Sequence, residues 1–202
     1  MQKRLSREFY NQDGITVAKQ LLGTVLVRKT ADGITAGKIV ETEAYMGEID
    51  AAAHSFKPRS PRTEIQYGEG GFAYIYMIYG MYWCMNVVAN TKDIPHAVLI
   101  RALEPVEGIE LMKVRRNTQN IKNLCSGPGK LCQALAIDKS CYGLDLLGDE
   151  LYIVQGEKLL PEQIAATPRI NIDYAGQARD YLWRFVIDKN PHVSKTPKKK
   201  QQ

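Results

Sequence analysis

Two glutamates two positions apart, Glu41 and Glu43 in the run ITAGKIVETEAY, are the residues of this chain best suited to acid–base chemistry. The run reads as a β-strand, so both carboxylates and Tyr45 share one face, with roughly 7 Å between the two Cα atoms. A pair at that distance suits general acid and base work on a glycosidic bond, for which inverting glycosidases set their carboxylates about 6.5–9.5 Å apart. The plainer alternative is a solvent-facing strand edge, and Tyr45 favours a pocket. Arg101 interrupts the apolar run AVLIRALEP, where a buried arginine ordinarily has a partner. His54 fits either a packed, hydrogen-bonded histidine or a functional one. Cys84, Cys125, Cys132 and Cys141 form no C-x-x-C pair, and with only His54, His96 and His192 besides, no zinc signature appears. Neither a metal nor a cofactor is expected, and the thiols are expected reduced and mostly buried.

The elements that must position these groups begin with the stretch 73–86, AYIYMIYGMYWCMN, which holds four tyrosines and a tryptophan beside a single glycine. Its halves are rich in β-formers and meet at Tyr79-Gly80, so a hairpin is expected with Tyr79 near an exposed tip. Tyr74, Tyr76 and Ile78 share one face of its first strand. An aromatic-rich core hairpin is one reading of it, although a large ring at a turn needs another reason. Earlier in the chain, Asp13 caps a helix through Lys19 and Leu22 that Gly23 closes, and TVLVRK turns at Ala31-Asp32-Gly33 into the glutamate strand. The loop GEIDAAAHS leads to the basic segment of Lys57, Arg59 and Arg62. Pro105 and Glu107 are expected to open a helix through Arg116, acidic at its start and basic at its end. Ser126 is expected to cap a helix beginning GPGKLCQALAI, whose N-terminal amides and Lys130 could receive a phosphate. LYIV, PRINID and LWRFVI read as further strands.

At 202 residues the chain is most simply one domain with a proper core. No run approaches the roughly 18 apolar residues of a membrane span, and the polar start MQKRLSREFY is not expected to be a signal peptide. A soluble, intracellular protein follows, cytoplasmic or nucleoid-associated if bacterial. The net charge of +5 is concentrated at one end, because five lysines follow Asp188. The body is therefore near neutral, and any nucleic-acid footprint must combine a local basic patch with that tail. Residues 1–188 are expected to form the domain, with 189–202 a basic, disordered tail.

Taken together, IVETEAYMG followed by AAHS, then YIYMIYGMYWCMN, VLIRALEP and SGPGKLCQAL, in that order, strongly resemble the alkyladenine type of 3-methyladenine DNA glycosylase over nearly the whole chain. The resemblance implies an α+β fold, a single mixed domain built on a curved, mainly antiparallel β-sheet with surrounding helices and a protruding β-hairpin. It also implies a monomeric, monofunctional glycosylase that binds duplex DNA in the minor groove, flips out an alkylated or deaminated purine and leaves an abasic site. By the same resemblance Glu43 would be the general base and Arg101 its partner at the attacking water. Tyr45 on one side, with His54 and Tyr76 on the other, would sandwich the base, Asn86 would face the purine edge, and Tyr79 would fill the vacated stack. Arg62 and Lys130 would contact the DNA backbone. Thr63, where asparagine is common, and Asn171, where glycine is frequent, depart from the family pattern. Two rival readings remain, a non-catalytic nucleic-acid-binding module that stacks bases on the same aromatics and a carbohydrate hydrolase that uses both glutamates.

Overall fold

Capping and glycine turns set the first elements of the chain, whose residues 3–195 are described by a computed structural model. A short helix, α1 (Arg7–Tyr10), precedes α2 (Gly14–Leu21), and the Asp13 side chain accepts from the backbone N–H groups of Ile15 and Thr16 to cap α2 as expected. Gly23, at φ +85°, leads the chain out of the helix and into β1 (Val25–Thr30). Thr30 pairs with Gly33, leaving Ala31-Asp32 as the turn into β2 (Gly33–Tyr45).

The molecule is organised around β2. Along one side it pairs with β5 (His96–Glu107), and along the other it meets β1 near its start and β8 (Arg184–Ile187) opposite Glu41, Thr42 and Glu43. The sheet runs β3 (Ala73–Ile78), β4 (Tyr82–Ala89), β5, β2, β1 and β6 (Leu151–Val154), while β7 (Ile164–Thr167) pairs with β8. Every pairing is antiparallel, so the expected α+β domain with a curved antiparallel sheet is what the chain forms. On one face of it pack α2, α3 (Ile109–Arg116) and α4 (Pro128–Leu135), around a core that includes Leu21, Ile39, Met85, Ile100, Leu103 and Leu131. Among the described residues no helix is long and apolar enough to cross a membrane.

A register irregularity lies where the acids sit. Ile39 is opposite Leu103, Glu41 opposite Ala102 and Thr42 opposite Ile100, so Val40 on β2 and Arg101 on β5 have no direct partner in this ladder. Such bulges bend a strand and re-aim a side chain. Here the re-aimed side chain is Arg101, which reaches both glutamates.

Several local expectations are corrected. Pro105 and Glu107 do not open a helix, because β5 continues to Glu107 with Pro105 opposite Gly37; Gly108 at φ +70° then ends the strand, and α3 begins at Ile109. Ser126 does not cap α4, since Gly127 holds the cap position and the Ser126 hydroxyl faces Asn123 Oδ1 at 3.4 Å. The segment PRINID is no strand but an irregular connection into a 3-10 stretch, while β7 carries the pairing just before it. At the start of the expected tail, Asn190 Nδ2 donates to Glu104 at 2.9 Å and Ser194 is bonded to Glu41. Residues 196–202, with the lysine run, lie outside the described residues.

Candidate active site

Glu43 lies near the end of β2, flanked by Leu99 of β5 and Arg184 of β8, and has no solvent exposure. Three donors fix its carboxylate. Oε2 accepts from the Tyr45 hydroxyl at 2.8 Å and from Arg101 Nη1 at 3.2 Å, and Oε1 accepts from the backbone N–H of Ile170 at 2.8 Å. Glu41 is equally buried, which rules out the solvent-facing edge. Its Oε1 accepts from Arg101 Nε at 3.0 Å, Arg184 Nε at 2.7 Å and Ser194 Oγ at 2.9 Å, and its Oε2 from Ser194 N at 2.6 Å. Two buried carboxylates thus face two buried guanidiniums, Arg101 shared between them and Arg184 on Glu41, an arrangement that keeps burial of charge tolerable only because each ion is paired and hydrogen-bonded.

Beside Glu43 lies a narrow slot lined by Tyr45, His54, Tyr74, Tyr76, Asn86 and Tyr174, so the structure brings together all four residues expected to hold a base. Glu43 is not among its lining residues and meets it through Tyr45. Burial first, and the Glu43 carboxylate next, push the Tyr45 phenol well above its usual range, so Tyr45 is the donor in their bond. The Arg169 guanidinium stacks on the Tyr45 ring at 4.7 Å and is locked by Asp50 and by the carbonyls of Ala44 and Ala178. Across the slot the His54 ring meets Tyr76 edge to face at 4.6 Å, and Tyr76 stacks on Tyr74 at 5.4 Å.

His54 lies between a phenol and a guanidinium, with Nδ1 2.8 Å from the Tyr74 hydroxyl and Nε2 3.3 Å from Arg62. A guanidinium can only donate, so Nε2 accepts and the imidazole proton is assigned to Nδ1, which donates to the Tyr74 oxygen. Burial, and then the charges of Arg62 and Lys57, lower its pKa from 6.5 to about 4. The imidazole is therefore neutral at physiological pH. Asn86, opposite Tyr74 in the hairpin, donates through Nδ2 to the Tyr74 carbonyl at 3.2 Å.

The hairpin tip projects beyond this slot. Tyr79 holds φ +52° and is 76% exposed, and Gly80 follows at φ +68°. A bulky residue in the left-handed region costs about 1–2 kcal/mol, and such strain gathers at functional positions. Lys130, in the first turn of α4, reaches Asn123 and Ser126, beside a shallow hollow that it lines with Ile78 and Tyr82 of the hairpin. Arg62, expected on a DNA phosphate, lies against the slot wall, its guanidinium 5.4 Å from the Tyr76 ring.

Sequence reasoning missed several contributors, among them Tyr74, Arg169, Ile170, Tyr174, Arg184 and Ser194. Tyr74 was visible as a face-mate of Tyr76. Ile170 acts through its backbone, which no residue type announces, and Ser194 lies in a segment whose composition resembles a tail.

A curved antiparallel sheet with a buried carboxylate beside an aromatic slot, and an aromatic-tipped hairpin next to both, defines a single-domain α+β protein whose slot has the walls to stack a flat ring. Residues 8–191 match methylpurine-DNA glycosylase, and the chain belongs to that family. It is 52% identical over 200 residues to a Clostridium acetobutylicum protein, covering 95% of this chain and 97% of the relative. A Clostridium novyi protein is 49% identical over 202 residues, covering 96% of this chain and 99% of the relative. One from Desulfitobacterium hafniense is 48% identical over 201 residues, covering 95% and 98% respectively. All three carry the provisional name 3-methyladenine DNA glycosylase.

Proposed function

We propose that this protein is a monofunctional 3-methyladenine-type DNA glycosylase of base excision repair, acting as a monomer inside the cell on duplex DNA from the minor-groove side. It extrudes alkylated or deaminated purines of the 3-methyladenine, 7-methylguanine, hypoxanthine and ethenoadenine class and hydrolyses the N-glycosidic bond to leave an abasic site. The observation that carries the reading is the Glu43 carboxylate, buried and fixed by Tyr45, Arg101 and Ile170 beside a slot of aromatic walls.

The extruded purine lies between Tyr45 and the pair His54 and Tyr76, whose π faces favour electron-poor and cationic rings. A neutral His54 adds no repulsion toward a positively charged alkylated base. As the glycosidic bond breaks, charge builds on the sugar, and Glu43 both takes the proton of the attacking water and stabilises the developing cation. Arg101 holds that carboxylate. Glu41 suits no second catalytic role, since four donors occupy its oxygens, and this speaks against the carboxylate-pair reading. Asn86 at the purine edge would exclude a guanine amino group by clash. Tyr79 would occupy the vacated stack, while Lys130 and Arg62 flank the path of the backbone.

The test is single-turnover excision from duplexes that each carry one lesion of the class. Glu43→Gln keeps shape but removes basicity, and general-base catalysis is worth about 10²–10⁴-fold, so release of a neutral lesion such as hypoxanthine falls at least ~10³-fold while lesion-DNA binding survives. Excision by Glu43→Gln at near the unaltered rate would remove Glu43 from this role.

A further inference from the structure

Glu41, the carboxylate that the proposed chemistry leaves unused, has more donors than Glu43. Two of its four come from Ser194, whose N–H reaches Oε2 at 2.6 Å and whose hydroxyl reaches Oε1 at 2.9 Å. The segment that delivers Ser194 is anchored at its start by Asn190 on Glu104, and beyond Ser194 the Lys195 carbonyl accepts from Arg184. The Arg101 guanidinium joins the two acids, with Nε on Glu41 and Nη1 on Glu43.

From this chain of contacts we infer that the strap 190–195 is a positioning element of the active site, in which Ser194 satisfies Glu41, Glu41 sets Arg101, and Arg101 holds Glu43. The inference rests on the reading of Glu43 as the base. How a shared guanidinium divides itself between two carboxylates depends on what else each acid receives. Ser194 supplies donors that Glu41 would otherwise draw from Arg101. Without the hydroxyl, a fully buried carboxylate oxygen loses a partner, which is costly away from water, and the adjustable donor beside it is Arg101. Arg101 then shifts toward Glu41, its 3.2 Å contact to Glu43 lengthens, and Glu43 loses cationic support.

The experiment measures single-turnover excision and lesion-DNA affinity in the full chain, on the lesion cleaved fastest, for the unaltered protein, Ser194→Ala, Ser194→Thr and Glu43→Gln, well below each melting temperature. A hydrogen bond to a charged group is commonly worth roughly tenfold, so Ser194→Ala excises about tenfold more slowly at saturating protein while its lesion-DNA affinity is kept. Ser194→Thr keeps both donors and restores the rate. If Glu43→Gln is inactive while Ser194→Ala matches the unaltered rate, the strap has no such role and the base assignment stands. Slower excision by Ser194→Ala with weakened lesion-DNA binding and no rescue by threonine also overturns the inference, leaving a structural contact only. Unimpaired Glu43→Gln overturns both readings.

Discussion

At the scale of single residues, the two glutamates show that burial alone does not separate the acid we propose as the base from the one we propose as its support. Both have no exposure and both hold Arg101, yet Glu41 is closed off by two arginines and a serine, whereas Glu43 leans on a slot-lining tyrosine. His54 gives a second residue-level test. Its pKa is lowered from 6.5 to about 4, so between those values the unfolded chain binds more protons than the folded one. By linkage, the stability that the neutral imidazole contributes is fully present above pH 6.5 and is lost as pH falls toward about 4. The melting temperature of His54→Gln therefore falls less steeply across that window than that of the unaltered protein, the remaining slope belonging to carboxylates. Identical slopes in thermal scans would contradict a buried, neutral His54. What the sequence revealed about such residues was their need for partners, as with an arginine in an apolar run. The bulge that aims Arg101 at both acids depends on register, which no pattern of residue types encodes.

At the scale of elements, the hairpin was legible because its strand formers alternate and its glycine marks the turn. Tyr79 itself takes a left-handed conformation that nothing in its residue type announces. The misread elements fail for a common reason. A proline before a helical pattern announces a helix start, but at Pro105 the long β2 strand still offered a partner at Gly37, and tertiary pairing overrode the local signal. Strain and function at the tip can be separated by Tyr79→Gly, since glycine adopts positive φ without steric cost. The melting temperature should hold or rise, while the extruded population falls by roughly 1–3 kcal/mol, the worth of a stacked base. A fluorescent-base flipping assay reads this directly. Equal extrusion by Tyr79→Gly and the unaltered protein would leave the exposed ring without the wedge role.

At the scale of the whole molecule, the distribution of charge divides binding from chemistry. The acids near the site are neutralised by buried arginines, so the active site adds little net field, and the net +5 owes its excess to the lysines after Asp188. Those lysines split at Lys195. Up to that point the chain is bonded to the sheet and reaches Glu41; beyond it the sequence carries three further positive charges, on Lys198, Lys199 and Lys200. A chain ending at Lys195 should therefore bind undamaged duplex more weakly, with the slope of log affinity against log salt reduced by at most about 2.7, or 0.9 for each of three lysines. Its single-turnover excision at saturating protein should match that of the full chain. A chain ending at Lys189 should show the same change in salt slope or slightly more, and in addition lose excision rate, because Ser194 goes with it. Titrations of both truncations against salt, alongside their excision rates, decide the matter. If both lose affinity and neither loses rate, the C-terminal residues act only as counter-charge, and the division at Lys195 has no functional meaning.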